Sequence, residues 1–414
     1  MRTFGPGIMF ASTAIGISHL IQSTRAGAEF GFELVIFVIL ANVLKYPFFE
    51  FSSRYANVTG TSLIDGYKKL GKWALGLYFM VTIASMFFVT AAVGLVTAGF
   101  MENLFGITSF GVWGVALLFA ICSIILIVGR YTVLDSLIKI IAAVILISTV
   151  LAFIFAIYNG PAEYIDGFKE PIIWSGTTLF FVIALMGWMP IPIDASAWHG
   201  LWTLERIRQT NFKPALKETL LDFNFGYVIV ASLSILFLIL GAYIFYGTGT
   251  ELPESSGLFA HKVVQIYTET IGDWSELIIS VSAFSVMFGT IIAVFDGYSR
   301  SILRTGQLLT SKSKPDSKST WKKYVSVILI LAVISFTVLL QFGNKIKELV
   351  DFATTISFVL SPVIAYFNIR LVSSKYIDIA MMPPTWLRVL SYVGLIFLSG
   401  FAIVFIIIYI PTLL

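Results

Sequence analysis

Eleven predominantly apolar runs follow one another along this chain, each long enough to cross a hydrocarbon layer of about 30 Å. Their approximate spans are Gly7–Ala28, Glu33–Phe51, Ala74–Phe100, Val112–Val128, Leu134–Tyr158, Ile172–Leu201, Phe225–Tyr246, Leu277–Leu303, Tyr324–Phe342, Leu349–Val372 and Leu387–Leu413. In lipid there is no water to satisfy a peptide group, so each run must bond its own backbone, which an α-helix does. The 414 residues are 58% hydrophobic and 12% charged, more apolar side chain than a soluble core of this size could hide. An all-α membrane protein is expected, with the bilayer as solvent.

Lysine and arginine set the expected orientation. With the N-terminus inside, twenty of them fall on inside regions and four on outside loops. Cytoplasmic loops carry the positive excess, so the N-terminus is expected in the cytoplasm and the C-terminus outside. Arg2, an apolar run and Ala26-Gly27-Ala28 resemble a signal peptide, but His19, Gln22 and Arg25 interrupt the part that should be apolar. The stretch Thr310–Thr320 reads as a flexible cytoplasmic loop, and Phe259–Ile271 as a short surface helix outside. Cys122 is the sole cysteine, so no intrachain disulfide can form. The rest forms one transmembrane domain over residues 1–414.

Two runs are interrupted. The first is broken at Gly16-Ile17-Ser18-His19, and the sixth at Met189-Pro190-Ile191-Pro192-Ile193-Asp194. A break at membrane depth survives where it is buried or lines a cavity. Two breaks at corresponding places in two halves point to the substrate site of a secondary transporter. Five segments separate them, so the halves are expected to be inverted repeats: segments one to five over 1–158, segments six to ten over 172–372, and an additional helix over 387–413. This is the five-plus-five arrangement of the LeuT type, with helices 1 and 6 discontinuous.

The breaks supply the candidate site. Carbonyls freed near Gly16 and Ile17, the Ser18 hydroxyl and the His19 imidazole could bind a cation. In the second break Pro190 and Pro192 remove backbone donors, and Ile191, Ile193 and Asp194 complete the unwound stretch. Asp194 is a costly carboxylate at depth and also a favourable helix cap. The expected metal ligands are His19, Asp194 and Ser18. Trp188 and Trp198 flank the break as gating candidates, and His199 and Asp296 are relay candidates. Glu50–Arg54, Asp135–Lys139 and Asp296–Arg300 are spaced four apart as structural helix-surface pairs. Arg25, Glu29 and Glu33 cluster at the outer end of segment one.

The run Gly5-Pro6-Gly7-Ile8-Met9-Phe10-Ala11, then Gly27-Ala28-Glu29-Phe30-Gly31, and Ala184-Leu185-Met186-Gly187 before the proline break resemble the NRAMP divalent-metal transporters. The resemblance covers essentially the whole chain, but its sharp motifs differ. The family's Asp-Pro-Gly-Asn falls on Gly16, Ile17, Ser18 and His19, and its Met-Pro-His-Asn on Ile191, Pro192, Ile193 and Asp194. The later family histidine falls on Trp198, with His199 beside it. Asp135 matches a family acidic position, whereas Ala74–Phe100 holds no acidic residue.

The resemblance implies transport of a divalent metal of the manganese, iron or magnesium class by alternating access. Loss of the thioether at Ile191 removes one source of preference for soft metals, and the altered acids imply transport without the usual proton coupling. The alternative is a non-metal solute, small organic or anionic, in the same central site. Nothing points to an enzyme, a nucleic-acid partner or a cofactor other than the transported ion. A monomer in a bacterial inner membrane is expected.

Overall fold

The computed structural model describes residues 5–107, 111–128, 131–172, 175–310, 317–343 and 345–413. Among the described residues the regular structure is helical, and each of the eleven expected apolar runs falls on helix, two of them broken. Among the described residues, seven helices are long and apolar enough to cross a membrane by themselves: α3 (Val35–Thr59), α5 (Lys72–Phe105), α10 (Leu216–Phe245), α12 (Glu276–Leu309), α13 (Ser317–Phe342), α14 (Ile346–Leu371) and α15 (Thr385–Leu413). Helices α6 (Val112–Val128) and α7 (Tyr131–Asn159) add two more. The remaining two crossings are broken, one into α1 (Pro6–Ala14) and α2 (Thr24–Phe30), the other into α8 (Gly176–Gly187) and α9 (Ser196–Thr210). Residues Phe259–Ile271 form a helix as expected, α11, which begins at Ser256. Of the loop Thr310–Thr320, residues 311–316 lie outside the described residues, and Ser317–Thr320 already belong to α13.

The broken crossings stand at the centre. Around them pack α3, α5, α10, α12 and α14, whereas α13 and α15 lie outermost, showing lipid-facing side chains such as Val333 and Ile396. One short helix, α4 (Leu63–Leu70), has no counterpart among the apolar runs. It opens with a reciprocal cap, Ser62 Oγ accepting from Asp65 N and Asp65 Oδ2 accepting from Ser62 N, and buries Leu63, Ile64 and Tyr67. Arg304 of α12 pairs with Asp65 and ties α4 to the bundle.

The first broken crossing is seated on α10. The N-terminal amides of Gly5 and Gly7 donate to the Asp222 carboxylate at 3.1 and 2.7 Å, which places an anion at the start of α1. Backbones then meet without side chains between them. A Cβ on Gly226 would lie 2.2 Å from the Gly7 carbonyl oxygen, and one on Gly241 2.3 Å from that of Thr24. Small residues allow such close approach, and dispersion and polar contacts hold helices together in lipid. Both halves of crossing one are therefore held to the same helix, with the break between the two anchor points.

Two expectations about charged pairs change, and a third is untested. Glu50 and Arg54 do pair, at 2.5 Å, but both are buried, and Arg54 also donates to the Met381 carbonyl at 2.9 Å. They are not on the helix surface, because α3 is covered along this face. Arg25 lies 3.4 Å from Glu29, but its shorter contact is with Asp351 of α14 at 2.8 Å. The side chains of Asp135 and Lys139 lie outside the described residues.

Candidate functional site

The helix of α1 ends at Ala14, and Ile15 leaves the helical region with φ −71° and ψ 86°. The chain re-enters as a wide π-helical turn over Ser18–Ser23, whose Ser18 carbonyl accepts from Ser23 Oγ at 3.0 Å. In the other crossing α8 stops at Gly187 and regular helix returns at Ser196, after a single 3-10 turn over Ile193–Ala195. Pro190 and Pro192 have no N–H to continue the ladder, which makes this stretch open. The two breaks meet: Ser18 Oγ lies 3.1 Å from the Pro190 carbonyl oxygen.

A cavity of about 30 Å³ opens at this meeting point. Its wall takes Ala14, Gly16, Ile17 and Ser18 from the first break and Trp188, Pro190, Ile191 and Pro192 from the second. Val89 and Val93 of α5, Thr290 and Val294 of α12, Thr13 and Trp198 close it. Every one of these residues is buried, so the cavity lies inside the helix bundle. Roughly 10–15 Å³ is enough for one water, so the space fits a small ion with little hydration.

The expected ligands separate here. His19 is buried behind Ser18, with Nδ1 2.8 Å from Ser18 Oγ and Nε2 2.9 Å from the Val230 carbonyl oxygen on α10. A carbonyl only accepts, so Nε2 carries the proton, and in the neutral ring Nδ1 is left to accept from Ser18. Asp194 turns the other way. Its Oδ2 accepts from Ser85 of α5 at 3.1 Å and from Tyr298 of α12 at 3.4 Å, and it lines a narrow crevice with Ser357 and Ser361 of α14. The cavity wall includes neither His19, Ile193 nor Asp194, while Gly16, Ile17, Ser18, Pro190 and Ile191 are all on it. Among the described residues, no three of His, Cys, Asp and Glu gather as a metal cluster.

Both tryptophans flank the cavity. Trp188 Nε1 donates to Ser357 Oγ at 2.9 Å, tying the end of α8 to α14. Trp198 meets Tyr298 edge-on at 4.7 Å and closes the cavity toward α9. His199 is elsewhere, its Nδ1 2.9 Å from Ser53 Oγ and its ring edge-on to Phe10 and Phe223. Asp296 is held by Arg300 at 2.7 Å and by the Tyr324 hydroxyl at 2.7 Å, away from both breaks.

Four residues of this region escaped sequence reasoning. Ser85 and Tyr298 look like ordinary helix residues until the fold sets them against Asp194. Asp351 pairs with Arg25 and also accepts from Gln22 at 2.9 Å. Lys45, buried in α3, donates to the carbonyls that end α8. A lysine inside an apolar run is itself a signal.

The sequence profile described as Nramp, natural resistance-associated macrophage protein-like, matches residues 7–408. The chain belongs to the Nramp family. An uncharacterized protein of Pasteurella multocida is 36% identical to this Nramp protein over 97% of the chain and 91% of its own length. A divalent metal cation transporter, MntH, of Listeria monocytogenes is 21% identical over 95% of the chain and 87% of its own length. Among solved structures, a point mutant of a manganese transporter of Eremococcus coleocola aligns with a TM-score of 0.69 at 14% identity, covering 97% of this chain and 85% of that one. MhsT in complex with L-phenylalanine aligns with a TM-score of 0.62 at 14% identity, covering 97% of each chain. The fold is thus the LeuT-type inverted repeat with helices 1 and 6 discontinuous, and the protein is a multi-pass secondary transporter, not an enzyme.

Proposed function

We propose that this Nramp transporter carries a divalent metal cation of the manganese, iron or magnesium class through the cavity between the breaks. One observation carries the reading: oxygen atoms outnumber protons at Ser18. Its Oγ lies 3.1 Å from the Pro190 carbonyl oxygen and 3.2 Å from that of Ala14, on the cavity wall, while His19 Nδ1 takes the single hydroxyl proton. The surplus lone pairs attract a cation, and their hard oxygen character suits a hard or borderline metal. The named metal substrates of the Listeria and Eremococcus relatives support the same reading. Asp194 joins the coordination when the breaks rearrange, by leaving Ser85, while His19 orients the Ser18 hydroxyl. The lysine and arginine distribution supports an N-terminus in the cytoplasm, and the bacterial sources of the relatives support a bacterial inner membrane.

Transport proceeds without the usual proton coupling, since α5 has no acidic residue over Ala74–Phe100. Reconstituted into liposomes with metal- and pH-reporting dyes, the protein should take up manganese or magnesium with no matching acidification. Removing one oxygen in Ser18→Ala forfeits roughly 1.5–3 kcal/mol of charge-assisted interaction, or about a ten- to hundredfold rise in half-saturating metal. Absence of flux for every divalent metal tried would sink the reading, and metal-driven acidification would sink the uncoupled form of it.

One observation favours a second reading. Most of the cavity wall is apolar, with Val89, Val93, Val294, Trp188 and Trp198, and it bears no carboxylate. A small uncharged or anionic organic solute would suit such walls once the cavity widens, and saturable uptake of an organic solute with no metal flux identifies it.

A further inference from the structure

Lys45 lies within α3 and is 0% exposed, the one fully buried lysine among the described residues. Its Nζ donates to the carbonyl oxygens of Met186 at 2.5 Å and Gly187 at 2.8 Å. These are the last two residues of α8, the first half of the broken sixth crossing. The final carbonyls of a helix have no amide partner within it. They also carry the negative end of the helix dipole, equivalent to about half an elementary charge. Where transporter helices are interrupted, such ends coordinate dissolved cations. Here the position is filled by a cation that belongs to the chain.

Charge and geometry agree. An ammonium at this depth is costly unless it is paired with groups that accept its protons. Two carbonyls with partial negative charge, fixed by the fold, provide that pairing. The stem of Lys45 starts on α3 and crosses to α8, so it joins a continuous helix to the free end of a broken one. The next residue after the bound carbonyls is Trp188, which forms the cavity wall and holds Ser357. The ammonium therefore sits one residue back from the cavity wall along the chain and does not itself line the cavity.

We propose that Lys45 is a tethered cation occupying the place that a dissolved monovalent cation would otherwise take at the end of α8. It sets the angle at which α8 meets the cavity and makes a separate ion at this position unnecessary. The inference holds whichever passenger the protein carries.

Thermal unfolding of the purified, detergent-solubilised protein tests it without any transport assay. Lys45→Met keeps the stem and deletes the charge, and should unfold several degrees lower than the native protein. Lys45→Ala should unfold lower still, and n-propylammonium, which matches the deleted atoms, should restore most of the loss. Tetramethylammonium, a cation with no N–H to donate, should not restore it. Sodium should stabilise Lys45→Ala and leave the native protein unaffected. A Lys45→Met variant as stable as the native protein overturns the proposal, as does a folded Lys45→Ala variant indifferent to propylammonium and sodium. If neither variant survives purification, the native protein labelled with ¹⁵N at lysine Nζ decides. One ammonium signal protected from exchange with water is expected, and its absence overturns the proposal.

Discussion

A hydroxyl with one proton stands against three acceptors at Ser18, and the order in which they are served sets what the cavity attracts. His19 reaches no farther than Ser18, because Val230 fixes the other side of its ring. Its role is to orient the hydroxyl, so His19→Gln should weaken metal uptake less than Ser18→Ala in the same liposome assay. Equal losses would mean that the imidazole itself ligates. Asp194 is a different case. Ser85 and Tyr298 hold its carboxylate off the cavity, so its charge acts through a rearrangement. Asp194→Asn should reduce maximal uptake at least about tenfold while leaving metal binding to the resting form within about threefold, as expected for an interaction made only on the way to another state. Isothermal titration beside flux measurement separates the two quantities. A loss confined to binding would place the carboxylate in the resting site.

At the scale of elements, the breaks work because their flanks do not move freely. Crossing one is held on α10 at both ends by backbone contacts at Gly226 and Gly241. Any side chain at Gly226 strikes the Gly7 carbonyl, and α1 must then move away from α10. Overpacking of this kind costs about 1–3 kcal/mol or more. Gly226→Leu should therefore unfold at lower temperature and transport poorly, whereas Val228→Leu, on the exposed side of the same helix, should match the native protein in both. Thermal unfolding and flux on the two variants check this, and equal behaviour would show that the close approach is dispensable. The second crossing is held differently, by Lys45 at the end of α8 and by Asn368, whose Nδ2 donates to Ser196 Oγ at 3.0 Å, at the start of α9. One broken crossing is held by the absence of side chains, the other by polar side chains from its neighbours.

For the molecule as a whole, alternating access requires a closure on each side of the cavity. On the side of Phe30, Arg25 of α2 bonds both oxygens of Asp351 on α14 at 2.8 and 3.2 Å, and stands 4.7 Å over the ring of Phe181 on α8. On the opposite side, the Trp198–Tyr298 contact lies below the cavity. Arg25 is buried and Asp351 partly so, and removing one partner of such a pair costs up to roughly 3 kcal/mol, enough to raise an open population by as much as about a hundredfold. In a Cys122→Ser background with a cysteine in place of Ile17 on the cavity wall, Asp351→Asn should speed labelling by a thiol reagent added from the Phe30 side by at least about tenfold. No change would show that the pair does not close this route. The same variant should bind metal at the cavity as the native protein does, since neither Arg25 nor Asp351 lines it.

Hydropathy alone was enough to set the number of crossings, since a peptide group in lipid has few ways to be satisfied. The positions of the two breaks followed from Pro190, Pro192 and the polar run at Gly16–His19, for the same reason. Short α4 was invisible to that logic, because its apolar side is a single stripe on a helix of eight residues. Side-chain direction was also out of reach. Gly16, Ser18 and Pro190 reached the cavity because backbone geometry carried them there, while His19, next to Ser18, and Asp194, two residues past Pro192, faced Val230 and Ser85 instead. A single residue step turns a side chain by about 100° around a helix, so proximity along the chain says little about what a side chain meets. Lys45 and Asp351 show the same limit from the other direction. Both were legible as charges in apolar surroundings, but their partners lie 141 and 326 residues away, and only packing could bring them together.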